Sequence, residues 1–166
     1  MEEAVLVRFE LLLLVMAIYK FQLDSPLPPT TACQRIRDQV QFVAPPQYGM
    51  RQGMFAALPF AGTVKDRSFK IQRIITGRNS FLPVIKGKLT ENGVGTRLNV
   101  VMHIRPVVFA FVTFWLLGTV FIALVVGLEA TLAAVAMFIF GVCLVLMGFV
   151  PEAILAKRLI VKSLTS

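Results

Sequence analysis

The sequence is poor in the residues that most chemistry needs. Its 166 residues hold one histidine, His103, and two cysteines, Cys33 and Cys143. No Cys/His spacing suits a metal, and the two thiols read as buried small hydrophobes rather than as a disulfide pair. The strand-rich region contains no paired carboxylates, and no Gly-rich phosphate loop or nucleophile–base set occurs in the chain. Catalytic residues, cofactors and metals are therefore not expected, and the chain reads as a non-enzyme. An Asn-x-Ser/Thr sequon is also missing, which fits a domain kept in the cytosol. No basic strand is studded with aromatics in the manner of RNA-recognition sheets, so nucleic acid finds no support as a partner.

What is abundant is apolar residue, at 57% of the chain. Two runs dominate, VVFAFVTFWLLGTVFIALVV and LAAVAMFIFGVCLVLMGFV, joined by the turn GLEAT. A helix of about 20 apolar residues spans the roughly 30 Å hydrocarbon core of a bilayer. Backbone polar groups in lipid must be satisfied within the segment, so residues 106–151 are expected to form a transmembrane helical hairpin. Neither run contains an ionisable residue, which argues against a transport path. Ala134, Gly141 and Gly148 are seven apart and predict one small-residue stripe for close helix packing. That stripe suits either the first helix of the hairpin or a partner subunit. Trp115 lies mid-run, where packing between helices is its expected role.

Charge is distributed unevenly around the hairpin. The chain carries a net +8, and residues 1–105 contribute 14 Lys/Arg against 7 Asp/Glu, a net +7. His103 and Arg105 precede the first run, and Lys157, Arg158 and Lys162 follow the second, whereas the turn holds only Glu129. Lys/Arg-rich flanks stay in the cytoplasm, so both ends of the hairpin and the domain before it are expected there.

The remainder divides into three parts. Residues 1–19 form an apolar N-terminal segment too short and too charged for an easy span, and read as an interfacial helix or buried strand ahead of a third crossing. Residues 20–105 read as a small α+β domain, and residues 152–166 as a basic interfacial tail continuing as helix. Within the domain, Phe21 and Leu23 suit a short strand. Thr31-Ala32-Cys33-Gln34 fits a capping box for a helix whose apolar stripe is Ala32, Ile36, Val40 and Val43. Residues 47–58 read as a loop, with Met50, Met54 and Phe55 forming a lid over the core. From Phe60 the period becomes two, predicting strands over 60–65, 68–75, 82–90 and 96–104 in an antiparallel meander. The helix is the expected cover for its apolar face. The polar face gathers Lys70, Lys86, Lys88, Arg97 and His103, held near the membrane by the two-residue link into the hairpin.

The densest stretch is FKIQRIITGRNSFLPVIKG, residues 69–87. Arg73 and Arg78 offer planar donor forks for an anion, and Asn79 and Ser80 can close a turn through side-chain-to-backbone bonds. The pattern Phe69-x-Ile71-x-Arg73-x-Ile75-x-x-Arg78-Asn79-Ser80-Phe81-Leu82-Pro83-x-Ile85-x-Gly87, followed by Gly95-Thr96 and a basic strand entering a hydrophobic hairpin, resembles a family of uncharacterised bacterial membrane proteins. The resemblance implies the same plan of small sheet before hairpin over about residues 60–155, and supplies no catalytic residues.

Two functions follow as expectations. One is a structural or interaction module in the lipid bilayer, an accessory subunit beside membrane-protein partners. The other is a binder of anionic lipid headgroups or another anionic ligand through Arg73, Arg78, Asn79, Lys86, Lys88 and Arg97.

Overall fold

A computed structural model describes residues 18–42, 58–93, 95–125 and 128–165. The fold is α+β, a six-stranded sheet followed by a helical hairpin. The strands are β1 (Ile18–Ser25), β2 (Val40–Phe42), β3 (Phe60–Lys65), β4 (Ser68–Arg73), β5 (Val84–Asn92) and β6 (Gly95–His103). The helices are α1 (Pro29–Arg37), α2 (Pro106–Val125) and α3 (Leu128–Thr165). The sheet order is β1-β6-β5-β4-β3-β2. Every pairing is antiparallel except β2 with β3.

The four expected strands form the meander β3 to β6. Asp66 turns the first hairpin in the left-handed region, φ 40°, which a short polar side chain tolerates. Strict alternation along β6 puts Thr96, Leu98, Val100 and Met102 in the core. Beside them, Gly87 is required by a close approach. A Cβ there would lie 2.0 Å from the Phe69 ring, which crosses the glycine from its register partner on β4.

Two strands come from segments with weaker patterns. The short strand expected around Phe21 and Leu23 is eight residues long and pairs with β6 from Thr96 to His103. It begins at Ile18, inside the segment 1–19. The helix expected to run through Val40 stops at Arg37. Val40 instead pairs with Phe60, because the outer edge of β3 offers unpaired backbone groups and a β-branched residue suits a pleated edge. The capping box at Thr31–Gln34 does not form. Pro28 is the N-cap and Pro29 opens the helix, where its missing N–H is no loss. Thr31 is exposed within the first turn, and Gln34 donates to Asp38 Oδ1 at 2.7 Å. Val43, the lid at Met50, Met54 and Phe55, residues 1–17 and the packing of the Glu129 side chain lie outside what the structure describes.

The cover of the sheet is the main departure from expectation. α1 has nine residues, about 14 Å, and six strands are about 24 Å across. It lies over β3, β5 and β6, burying Ala32, Cys33 and Ile36. The other cover is the end of the chain. α3 is one 38-residue helix running through Pro151, and beyond that proline Ala153, Ala156, Ile160 and Leu164 are all buried against the sheet. Residues 152–165 are helical as expected, with one face in the domain core. Contacts along α3 give its direction: Gly148 meets Asn79, Glu152 meets Arg73, Lys157 meets Tyr19 and Leu164 meets Ser25. The helix therefore climbs the sheet alongside β1, antiparallel to β6.

α2 leaves β6 after Ile104 and Arg105 and packs antiparallel on the first half of α3. α3 begins at Leu128, inside the expected turn, and the Thr131 hydroxyl donates to the Ala123 carbonyl at 3.2 Å. Both helices are long and apolar enough to cross a membrane. Thr119 is the one buried residue of α2.

Candidate functional site

The sequence motif builds a latch between sheet and helix. Arg73, at the end of β4, reaches Glu152 of α3 with Nε 2.7 Å from Oε2. Both side chains are about one-fifth exposed, at 19% and 20%. Asn79 donates its amide to the Gly148 carbonyl at 2.8 Å, while its Oδ1 accepts from the Phe81 N–H at 2.9 Å. Pro151 has no N–H to offer the Met147 carbonyl four residues back, and the Asn79 amide bonds the next carbonyl along the helix, that of Gly148. Gly148 is needed for a second close approach: a Cβ would lie 2.6 Å from Phe81 Cδ2. Gln72 seals the base of the loop, donating to the Leu82 carbonyl at 3.1 Å and accepting from Arg105 at 3.0 Å.

The opposite face of the sheet is cationic and, beyond its end row where Ala61 and Gln72 are buried, exposed. Alternation from the core rows places Lys20, Lys65, Lys70, Lys86, Lys88, Arg97 and His103 on it. Lys70 stands directly opposite Lys86. One row reads Thr63, Lys70, Lys86, Val101, Lys20, and the next Lys65, Ser68, Lys88, Asn99, Gln22. All five lysines are exposed and none makes an ion pair among the described residues. Like charges facing across a sheet repel. Replacing Lys86 with Thr is accordingly expected to stabilise the domain by about 0.2–1 kcal/mol. The gain should shrink as salt screens the face, and chemical denaturation at two ionic strengths measures both.

Among the described residues one acid shares this face. Asp24 takes two bonds from Arg97, at 2.8 and 3.3 Å, and a third from Asn92 at 3.2 Å. The Arg97 bond, followed by its charge and the Asn92 bond, holds the Asp24 carboxyl below its ordinary value, and Asp24 in turn raises Arg97. A carboxyl lowered on folding contributes stability above its unfolded pKa, so this contribution is present at neutral pH and lost as pH falls below about 4. Asp24→Asn is expected to flatten that part of the acid-denaturation curve.

The anion candidates of the sequence thus occupy three places. Arg73 and Asn79 are taken up by the latch. Arg78 is exposed on the loop beside it. Lys86, Lys88 and Arg97 share the open face. Sequence reading missed Lys20 and Lys65 on that face, because β1 was only partly legible and Lys65 sits at a strand end. His103 Nδ1 lies 2.8 Å from the Ile104 carbonyl. The small-residue stripe is used inside the chain: Ala134 is buried, Gly141 meets Trp115 and Leu116, and Gly148 meets Phe81. Trp115, expected to pack between the helices, meets α3 only along the edge facing Gly141 and stays 36% exposed. Of the thiols, Cys33 is buried and donates to the Asp66 carbonyl at 2.7 Å, whereas Cys143 is exposed on the hairpin.

Elsewhere an open groove between β1 and α3 is lined by Tyr19, Ile154, Lys157 and Arg158. Lys157 is engaged there, donating to the Tyr19 hydroxyl at 2.8 Å and standing over the Tyr19 and Phe21 rings. No group of three His, Cys, Asp or Glu side chains suited to a metal occurs among the described residues. Fold and site together define a sheet domain clasped to one long helix of an apolar hairpin. No family model, curated protein or solved structure matches this chain.

Proposed function

We propose that this chain is an integral membrane protein without an active site, acting as an interaction module and accessory subunit of a larger membrane complex. The hairpin crosses the bilayer, and the sheet domain stands outside it on the cytoplasmic side, where Lys/Arg-rich flanks are retained. One observation carries this reading. The hairpin is apolar all round and almost wholly uncovered: Val107 is 81% exposed, Phe114 78% and Leu124 80%. Monomeric soluble proteins rarely show an apolar patch beyond a few hundred Å², whereas lipid welcomes such a surface and the helices satisfy their own backbone.

Cys143 supplies the test. It lies eight residues before Pro151, about 12 Å into the hairpin. In a Cys33→Ala background, a charged maleimide should leave Cys143 unmodified in intact vesicles from either side and modify it after denaturation in SDS. Labelling in intact vesicles would remove the membrane reading. Sidedness is read by Arg37→Cys and Thr165→Cys, which should both react from the cytoplasmic side.

A second reading, recognition of anionic headgroups, is favoured by the height of Arg78. Its loop is tied to Gly148 at the end of the apolar run, level with the lipid headgroups of the proposed orientation. Under that reading Arg78→Gln loses co-purifying anionic lipid, measured by mass spectrometry of the detergent-extracted protein.

A further inference from the structure

We propose that the open lysine face is a docking surface for an acidic polypeptide segment of a partner protein, extended and carrying Asp or Glu at alternate positions. This rests on the reading of the hairpin as membrane-spanning.

Charge comes first. Lys20, Lys65, Lys70, Lys86 and Lys88 are exposed without an ion pair among the described residues, and Lys70 faces Lys86 across adjacent strands. The one acid of the face among the described residues, Asp24, is committed to Arg97. Such a surface repels itself and gains from any carboxylate laid over it.

Height excludes the chain's own bilayer as the source of negative charge. Lys157 is six residues past Pro151, about 9 Å along the helix, and it bonds Tyr19, the register partner of Met102. The Lys70–Lys86 row is one residue higher on the strands, and the Lys88 row about 7 Å higher again. The headgroup layer is only about 5–8 Å thick. Because α3 climbs along the strands, the face stands along the bilayer normal and cannot lie flat on lipid.

Chemistry then separates protein from nucleic acid. Among the described residues the face carries no Phe, Tyr or Trp on which a base could stack; its single imidazole, His103, sits in the end row with Nδ1 2.8 Å from the Ile104 carbonyl, and its apolar members are Ile18, Ala61, Val84 and Val101. Its free cations are lysines, flexible point charges, rather than the planar forks that favour bidentate phosphate recognition. Lys86 and Lys88 are two residues apart on β5, about 7 Å. Alternate side chains of an extended peptide repeat at the same distance.

The full chain in phosphatidylcholine nanodiscs, titrated with a fluorescent peptide of alternating Glu and Ser, tests this. Binding is expected to weaken about tenfold in a Lys70→Gln/Lys86→Gln/Lys88→Gln variant, as three exposed ion pairs of about 0.5 kcal/mol each imply. Arg78→Gln should bind like the parent, and the triple variant should melt no lower, since it relieves repulsion. Unchanged binding in the triple variant overturns the proposal. So does tighter binding, through the same lysines, of a single-stranded RNA of equal charge or of phosphatidylserine vesicles added from outside. Co-elution with the disc is read separately. A chain that does not enter the disc counts against the membrane reading and the height argument, whereas entry with unchanged binding counts against the docking face alone.

Discussion

A chain ending at Pro151 is expected to lose the whole sheet domain. The residues removed look like a basic tail, yet they include Ala153, Ala156, Ile160 and Leu164, each no more than 3% exposed. Burial of a side chain the size of Ile or Leu contributes about 1.5–3 kcal/mol. The loss is counted on both sides, because Leu98, Val100 and Met102 lie in the same core cluster and would face water. The truncation also removes Glu152 from the latch and the Leu164 carbonyl, which accepts from Ser25 at 3.4 Å. Together these come to about 10 kcal/mol, within the 5–15 kcal/mol that holds a typical domain folded. Limited trypsin digestion in mild detergent is the measurement. The full chain should yield a protected fragment from β1 to β6, and the shortened one should be cut at Lys70, Lys86 and Lys88. A truncated chain that stays protected would show that α1 covers the sheet unaided.

Breaking the Arg73–Glu152 pair from one side should destabilise the domain by about 2–4 kcal/mol. Fully buried pairs lose about 3–5 kcal/mol when one partner is removed, because the other charge is left desolvated. These side chains keep roughly a fifth of their exposure, which lowers the figure. Replacing both with apolar residues, Arg73→Met with Glu152→Leu, should recover most of the loss, since desolvation offsets much of the attraction in such pairs. Urea unfolding of the four chains forms a double-mutant cycle. Additive losses would mean that the two residues act separately and that no latch exists. The pair also has a directional role in the structure. It joins the end of β4 to the turn of α3 just past Pro151, and so sets the height at which sheet and helix meet.

Much of the architecture is legible before any coordinates. The two apolar runs announce two helices by length alone. The alternation of Leu98, Val100 and Met102 against Arg97, Asn99 and Val101 announces β6 by period. Strand β1 is harder: IYKFQLDS carries its signal only in Tyr19, Phe21 and Leu23, and the apolar segment ahead of it blurs the boundary. Strand β2 is three residues whose state is decided by the edge of β3 beside them. The RNSFLP stretch stands out as informative, but its meaning depends on Gly148, Pro151 and Glu152, some 70 residues away. Arg73 and Asn79 look like ligand-binding groups in one dimension because their partners belong to another element.

What the sequence determines by itself is whatever depends on neighbours along the chain: helix length from an unbroken apolar run, strand faces from alternation, and the concentration of cations ahead of the hairpin. Tertiary structure alone decides that the last 14 described residues cover the sheet and that the small-residue stripe is used up internally. It also decides that Lys20 and Lys65 join the open lysine face. The physical reason is that covering a sheet and gathering charge on one face are many-body outcomes. A stretch with Ala at two of its core positions carries little hydrophobic signal along the chain, yet small side chains are what let a helix lie close on a sheet.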